Sequence, residues 1–203
     1  MKINLPPDSL PKLKKLISVK DENILVSELL LRYLLNSEKY PLKVEFKRRS
    51  ANASTKEQLY AAMLAKKISP KHRGKQDVLL RHLNGRCALL DGDYYRDNPF
   101  FKTINISELS IGKWRLAFDR YEPYQAFAFR DIDVSSQGYE EKTHLGFFEE
   151  PFSFPVIMQE DRVWMSVTPH EIETMRQAVI EARGVVAVMG LGLGYYPYMI
   201  AQK

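Results

Sequence analysis

The sequence predicts an α+β chain in three stretches: a mainly helical N-terminal region over 1–110, an antiparallel β region over 111–167, and, over 168–203, a helix followed by the first strand and helix start of an α/β domain. Three observations carry this. Leucines recur at helical spacing near the N-terminus, aromatic residues alternate with polar ones in the middle, and an apolar run enters alternating glycines at the end.

Residues 1–40 predict two amphipathic helices. Leu10, Leu13, Leu16 and Ile17 fall at helical intervals, with lysines on the other side. Ser27 stands as an N-cap for a second helix, whose stripe is Leu30, Leu31, Leu34 and Leu35 and whose end is marked by Pro41. Such a stripe packs on its own core more commonly than on a partner or a membrane surface.

Residues 43–75 are the most basic part, with ten Lys or Arg against Glu45 and Glu57. A helix lies inside. Ser54-Thr-Lys-Glu57 reads as a capping box, Leu59, Met63 and Leu64 as the buried face, and Pro70 as the stop. The clustering, with Arg48, Arg49, Lys66 and Lys67 at its centre, is the electrostatic footprint of a nucleic-acid contact. No RNA- or DNA-binding motif accompanies it, and a solvated basic face has the same composition.

A further helix is expected from Gln76 to His82, ending near Asn84-Gly85. His72 and His82 have no Cys or acidic neighbour at metal-ligand spacing, so no metal is expected. Asp91, Asp93 and Tyr95 fit the first positions of a calcium loop, but Arg96 and Lys102 stand where that loop needs Gly and Glu. From there the chain is turn-rich and then aromatic, through Asn98-Pro-Phe-Phe.

From Lys113 to Val167 the pattern is β. Trp114, Leu116 and Phe118 alternate with Arg115, Ala117 and Asp119, and Phe127 and Phe129 alternate with their neighbours. Antiparallel strands with one wet face follow from this. Ser135-Ser-Gln-Gly138 and Glu160-Asp161 are the expected hairpin turns.

Thr168-Pro-His-Glu171 is a capping box with Pro at the first helical position. Ile172, Met175 and Val179 form the apolar face of the helix, which is expected to end at Arg183-Gly184, and His170 reads as a surface residue of the first turn. Val185 to Val188 then read as a buried parallel strand that enters Gly190, Gly192 and Gly194, with the opening turns of a helix from Tyr196 to Lys203. Strand, glycine turn and helix start form the first unit of a Rossmann-like nucleotide-binding fold. The dinucleotide fingerprint G-x-G-x-x-G would need a glycine where Tyr195 stands.

The spacing G-x-G-x-G at Gly190, Gly192 and Gly194 resembles the first motif of S-adenosylmethionine-dependent methyltransferases. The layout of a β-rich piece, a helix and a glycine-motif strand is similar to the spermidine-synthase-like branch. The resemblance implies that these three glycines form the cofactor loop around the methionine and ribose of S-adenosylmethionine. It carries over no catalytic residue. Val188 stands where the family usually has an acidic residue. In related folds the acidic residue that holds the ribose lies about 20 residues past the glycines, and the chain ends at Lys203. The expectation is therefore a methyltransferase truncated just after its first cofactor motif and inactive as this chain alone. If it is not a fragment, the terminal strand joins the central sheet or a partner chain.

Composition bounds the alternatives. The single cysteine, Cys87, excludes an internal disulfide and fits a cytoplasmic location, with a small buried hydrophobe as its expected role. No apolar run approaches the roughly 20 residues of a membrane span, and no signal peptide is visible. A net charge of +5 allows an anionic partner without requiring one. Beside the methyltransferase stand a non-enzymatic basic module for RNA or another anionic partner, and a remnant that forms homo-oligomers through the C-terminal strand.

Overall fold

The structure is a computed structural model and describes residues 6–37, 42, 55–136 and 138–203. Its helices and antiparallel strands make the protein α+β. The chain divides into two compact units, Met1–Ala88 with Ala126–Gly146, and Leu89–Gln125 with Phe147–Lys203.

In the first unit, α1 spans Ser9–Leu34 as one helix of 26 residues, where two were expected. No Gly or Pro lies between Lys12 and Asn36 to break it. Pro11 sits in the first turn, where a missing N–H costs nothing. Ser27 is therefore mid-helix, and its hydroxyl donates to Glu141 Oε2 at 3.2 Å instead of capping. Only Val26, Leu30 and Tyr33 of this helix are buried, whereas the expected stripe of Leu10, Leu13, Leu16 and Ile17 is exposed. Pro41 lies outside the described residues.

Helix α2 (Lys56–Ile68) begins one residue later than expected. Thr55 Oγ1 accepts from Gln58 N at 3.3 Å, and Gln58 Oε1 accepts from Thr55 N at 3.1 Å. That is a complete capping box, and Ser54 lies outside the described residues. The buried face is Tyr60, Ala61, Leu64 and Ala65, so Leu59 turns outward and Met63 is half-buried. The two alanines let α2 approach α3 (Arg73–Leu83), which buries Leu79 and Leu83.

Strands β1 (Cys87–Leu89), β4 (Phe127–Ala128) and β7 (Leu145–Phe147) form a sheet in the order β1-β7-β4. The hairpin of β5 (Asp133–Val134) and β6 (Glu141–Lys142) forms where it was expected. Ser135 N donates to Glu140 O, and Ser135 Oγ accepts from Gly138 N, both at 3.0 Å; Gln137 lies outside the described residues.

In the second unit, β2 (Leu109–Ile111), β3 (Trp114–Tyr121), β8 (Phe152–Gln159) and β9 (Arg162–Ser166) form an antiparallel sheet in that order. Gln159 pairs with Arg162, so Glu160-Asp161 is the tight turn expected, with Glu160 at φ 57°. One face buries Phe152, Phe154 and Val156 opposite Tyr121, Asp119 and Ala117. The other face is not polar: Leu109, Ile111, Trp114 and Phe118 are all exposed there. The strand reads apolar on both faces because β8 supplies the phenylalanines of the core, leaving the Trp114 side outward. Trp114 packs edge-on against Trp164 at 5.7 Å.

Four helices complete the unit: α4 (Gly92–Arg96), α5 (Pro99–Thr103), α6 (Pro169–Glu181) and α7 (Tyr195–Ala201). The capping box of α6 is as expected, with Thr168 Oγ1 accepting from Glu171 N and Thr168 N donating to Glu171 Oε2 at 3.0 Å. Among the described residues no helix is long and apolar enough to cross a membrane.

Candidate functional site

The glycine-rich segment between α6 and α7 is built from two fixed ends. Helix α6 stops at Glu181, two residues before the expected end, and its last carbonyls are taken by cations. Lys203 Nζ donates to Val179 O at 2.9 Å, Ile180 O at 2.6 Å and Ala182 O at 3.1 Å. Arg183 donates to Ile180 O at 2.6 Å and Ala182 O at 2.7 Å. Two positive charges there complement the negative end of the helix dipole. Gly184 follows with φ +63°, the left-handed turn expected of it.

The next run corrects the sequence reading. Val185 to Val188 form no strand, and Val185 and Met189 are fully exposed. A strand exists only through the hydrogen bonds of a neighbour, and among the described residues none pairs with this run. The three glycines then turn the chain with φ +86° at Gly190, +56° at Gly192 and +84° at Gly194. All three angles lie where an L side chain is strained. A Cβ at Gly190 or Gly194 would meet nothing within 4 Å, and one at Gly192 would reach only Met165 Sδ at 3.8 Å. The loop backbone is therefore open, and its glycines answer to conformation rather than to crowding.

Gly194 is the N-cap of α7, and Tyr198 N donates to its carbonyl at 3.0 Å. Helix α7 is tied to α5. Asn98 accepts from Phe100 N at 3.0 Å to cap α5, and its Nδ2 donates to the Tyr195 hydroxyl at 3.3 Å. The Phe100 ring lies 5.4 Å from Tyr195 and 5.9 Å from Tyr198, both edge-on. Burial raises the Tyr195 phenol above its ordinary range, and the bond from Asn98 works against that shift. Asn98, Phe100 and Tyr195 thus hold the helix that follows the loop. Their signal was present in Asn98-Pro99-Phe100, an N-cap, a Pro at the first helical position and an aromatic residue.

The remaining sequence candidates fall elsewhere. Lys66 and Lys67 are exposed in the last turn of α2, and Arg48 and Arg49 lie outside the described residues. His170 is half-buried rather than on the surface, and its buried Nδ1 has no hydrogen-bond partner. His82 is lowered to about 4 by burial, with Arg86 and His144 adding to the effect, and its Nε2 accepts from Thr143 N at 3.3 Å. Cys87 is buried and its thiol is pushed up to about 12 by desolvation, with Glu57 adding to it. The aspartates weighed for calcium are spent locally. Asp91 caps α4, Asp93 pairs with Arg96 at 2.8 Å, and Asp97 pairs with Lys102 at 3.0 Å. Among the described residues no group of three or more His, Cys, Asp or Glu is placed to hold a metal ion. No protein-family model, curated protein or solved structure matches the chain.

Proposed function

We propose that Gly190, Gly192 and Gly194 are the cofactor loop of an S-adenosylmethionine-dependent methyltransferase, to which this chain contributes the N-terminal part. The observation that carries the proposal is the left-handed backbone at all three glycines, running directly into a helix at Gly194. The loop suits the methionine and ribose of the cofactor, because its three glycines carry no side chain and nothing lies within 4 Å of a Cβ placed at Gly190 or Gly194. When bound, the cofactor supplies an electrophilic methyl group on a sulfonium. The chain's own residues bind and orient: the loop approaches the ligand, and Asn98, Phe100 and Tyr195 fix the helix after it. In this reading Val185–Val188 become the first strand of a Rossmann-like parallel sheet, a pairing that the described residues do not contain.

The test is a titration of S-adenosylmethionine into the product purified from its own cells, with its intact mass recorded first. Saturable binding that Gly192→Val removes supports the proposal, and no binding by a folded product rejects it.

A second reading rests on the exposed run. Val185 and Met189 are fully exposed and Leu191 is 72% exposed, so the segment offers an apolar edge to a second copy. Self-association that is lost on replacing Val185 and Met189 by serine supports that role, and a monomer at all concentrations rejects it.

A further inference from the structure

We propose that the second unit carries a separate small-molecule site, a cleft of about 590 Å³ between residues 101–106 and the β3–β8 strand pair, and that it takes a flat aromatic ring bearing a carboxylate. The site needs nothing from the glycine loop.

Size comes first. Cavities of roughly 300–1,000 Å³ hold small organic ligands, and this one falls within that range. Its walls are aromatic. Phe118 faces Pro155 across the strand register and is 49% exposed, although phenylalanine of that size is usually covered. Phe101 lines the cleft as well, and Pro155 and Ser153 lie on the same sheet face as Phe118, whereas the Phe152 ring, which is 1% exposed, belongs to the core on the other face and reaches the cleft only at its margin. Such walls favour a planar ring, which packs edge-on or offset against them.

Charge selects the second feature of the ligand. Arg96 and Lys102 are the charged groups lining the cleft, and no Asp or Glu lines it among the described residues. The Arg96 guanidinium is held in place. It donates to Asp93 Oδ1 at 2.8 Å and to Pro151 O at 3.2 Å, and it lies 5.7 Å from the Phe152 ring centroid. A guanidinium presents five N–H donors in a fixed fork, so further donors remain for a carboxylate after those two bonds. Lys102 pairs with Asp97 at 3.0 Å, but both side chains are more than half exposed. Such surface pairs are weak, and the ammonium can turn to a ligand at little cost. Ser153 adds a hydroxyl to the lining.

The test is calorimetric titration of the full chain with 2-naphthoate and with the uncharged 2-naphthamide. Naphthoate should bind saturably at one site. Naphthamide should bind about tenfold or more weakly, the loss expected of a charge-assisted hydrogen bond. Lys102→Gln should weaken naphthoate several-fold and leave naphthamide unchanged, whereas Phe118→Ser should weaken both. Lys102 is exposed, so its variant keeps the fold. No binding of naphthoate up to about 1 mM, equal affinity for the two probes, or unchanged affinity in both variants overturns the proposal.

Discussion

Phe100 offers the sharpest test of how the helix after the glycine loop is held. Its ring is completely buried and touches Phe101, Tyr195 and Tyr198, with centroids 5.4 Å, 5.4 Å and 5.9 Å away. Phe100→Ala removes the ring from a site that α5 and α7 build from both sides. Phenylalanine-to-alanine changes at such sites cost about 3–5 kcal/mol, as lost transfer energy plus the cavity left behind. Phe100→Leu keeps most of the volume and should cost about 1–1.5 kcal/mol. The assay follows from the sequence. Both tryptophans, Trp114 and Trp164, lie in the second unit, so tryptophan emission during urea unfolding reports that unit. With a slope of about 2 kcal/mol/M, the alanine variant should lower the midpoint by roughly 2 M and the leucine variant by about a quarter to a third of that. A shift below about 0.5 M for Phe100→Ala would refute the packing described between α5 and α7.

Three further outcomes are expected. Removing the cap with Thr168→Ala should destabilise the second unit by about 1 kcal/mol on the same assay, and Thr168→Ser should restore most of it. His82 is neutral in the folded first unit, with its value lowered from about 6.5 to about 4, so the unfolded chain binds the extra proton between those limits. Stability should therefore fall as pH drops from 6.5 towards 4, and a His82→Gln variant followed by circular dichroism should lose that part of the slope. Cys87 should react with a disulfide reagent only as fast as the first unit opens, because its thiol is buried and held protonated; rapid labelling of the folded protein would contradict this.

Much of the fold was legible because its signals are local. The Thr168 capping box and the Glu160-Asp161 turn depend on residues a few positions apart, and each forms where the sequence places it, while the last helix starts at Tyr195, one residue before the expected Tyr196. The misplaced features depend on distant partners. Ser27 has the chemistry of a cap, but Glu141, far along the chain, gives its hydroxyl another role. Trp114 and Phe118 alternate like core residues, and they are exposed because Phe152, Phe154 and Val156 occupy the other face first. Val185 to Val188 have strand composition and no strand neighbour among the described residues. The site was half visible. The glycines announced a turn and adopt one, whereas the Asn98–Tyr195 tie joins residues nearly a hundred positions apart, and nothing in either local sequence names the other.

The most direct test of the cofactor-loop proposal is equilibrium binding of S-adenosylmethionine to the product from its own cells, compared with its Gly190→Val variant. A Cβ at Gly190 meets nothing within 4 Å, and valine at φ +86° adds backbone strain of at least about 1–2 kcal/mol, so the tryptophan melt checks that the second unit of the variant is folded. The expected result is saturable binding, competed by S-adenosylhomocysteine and abolished in the folded variant. Absence of binding, or equal binding by the variant, would contradict the cofactor loop.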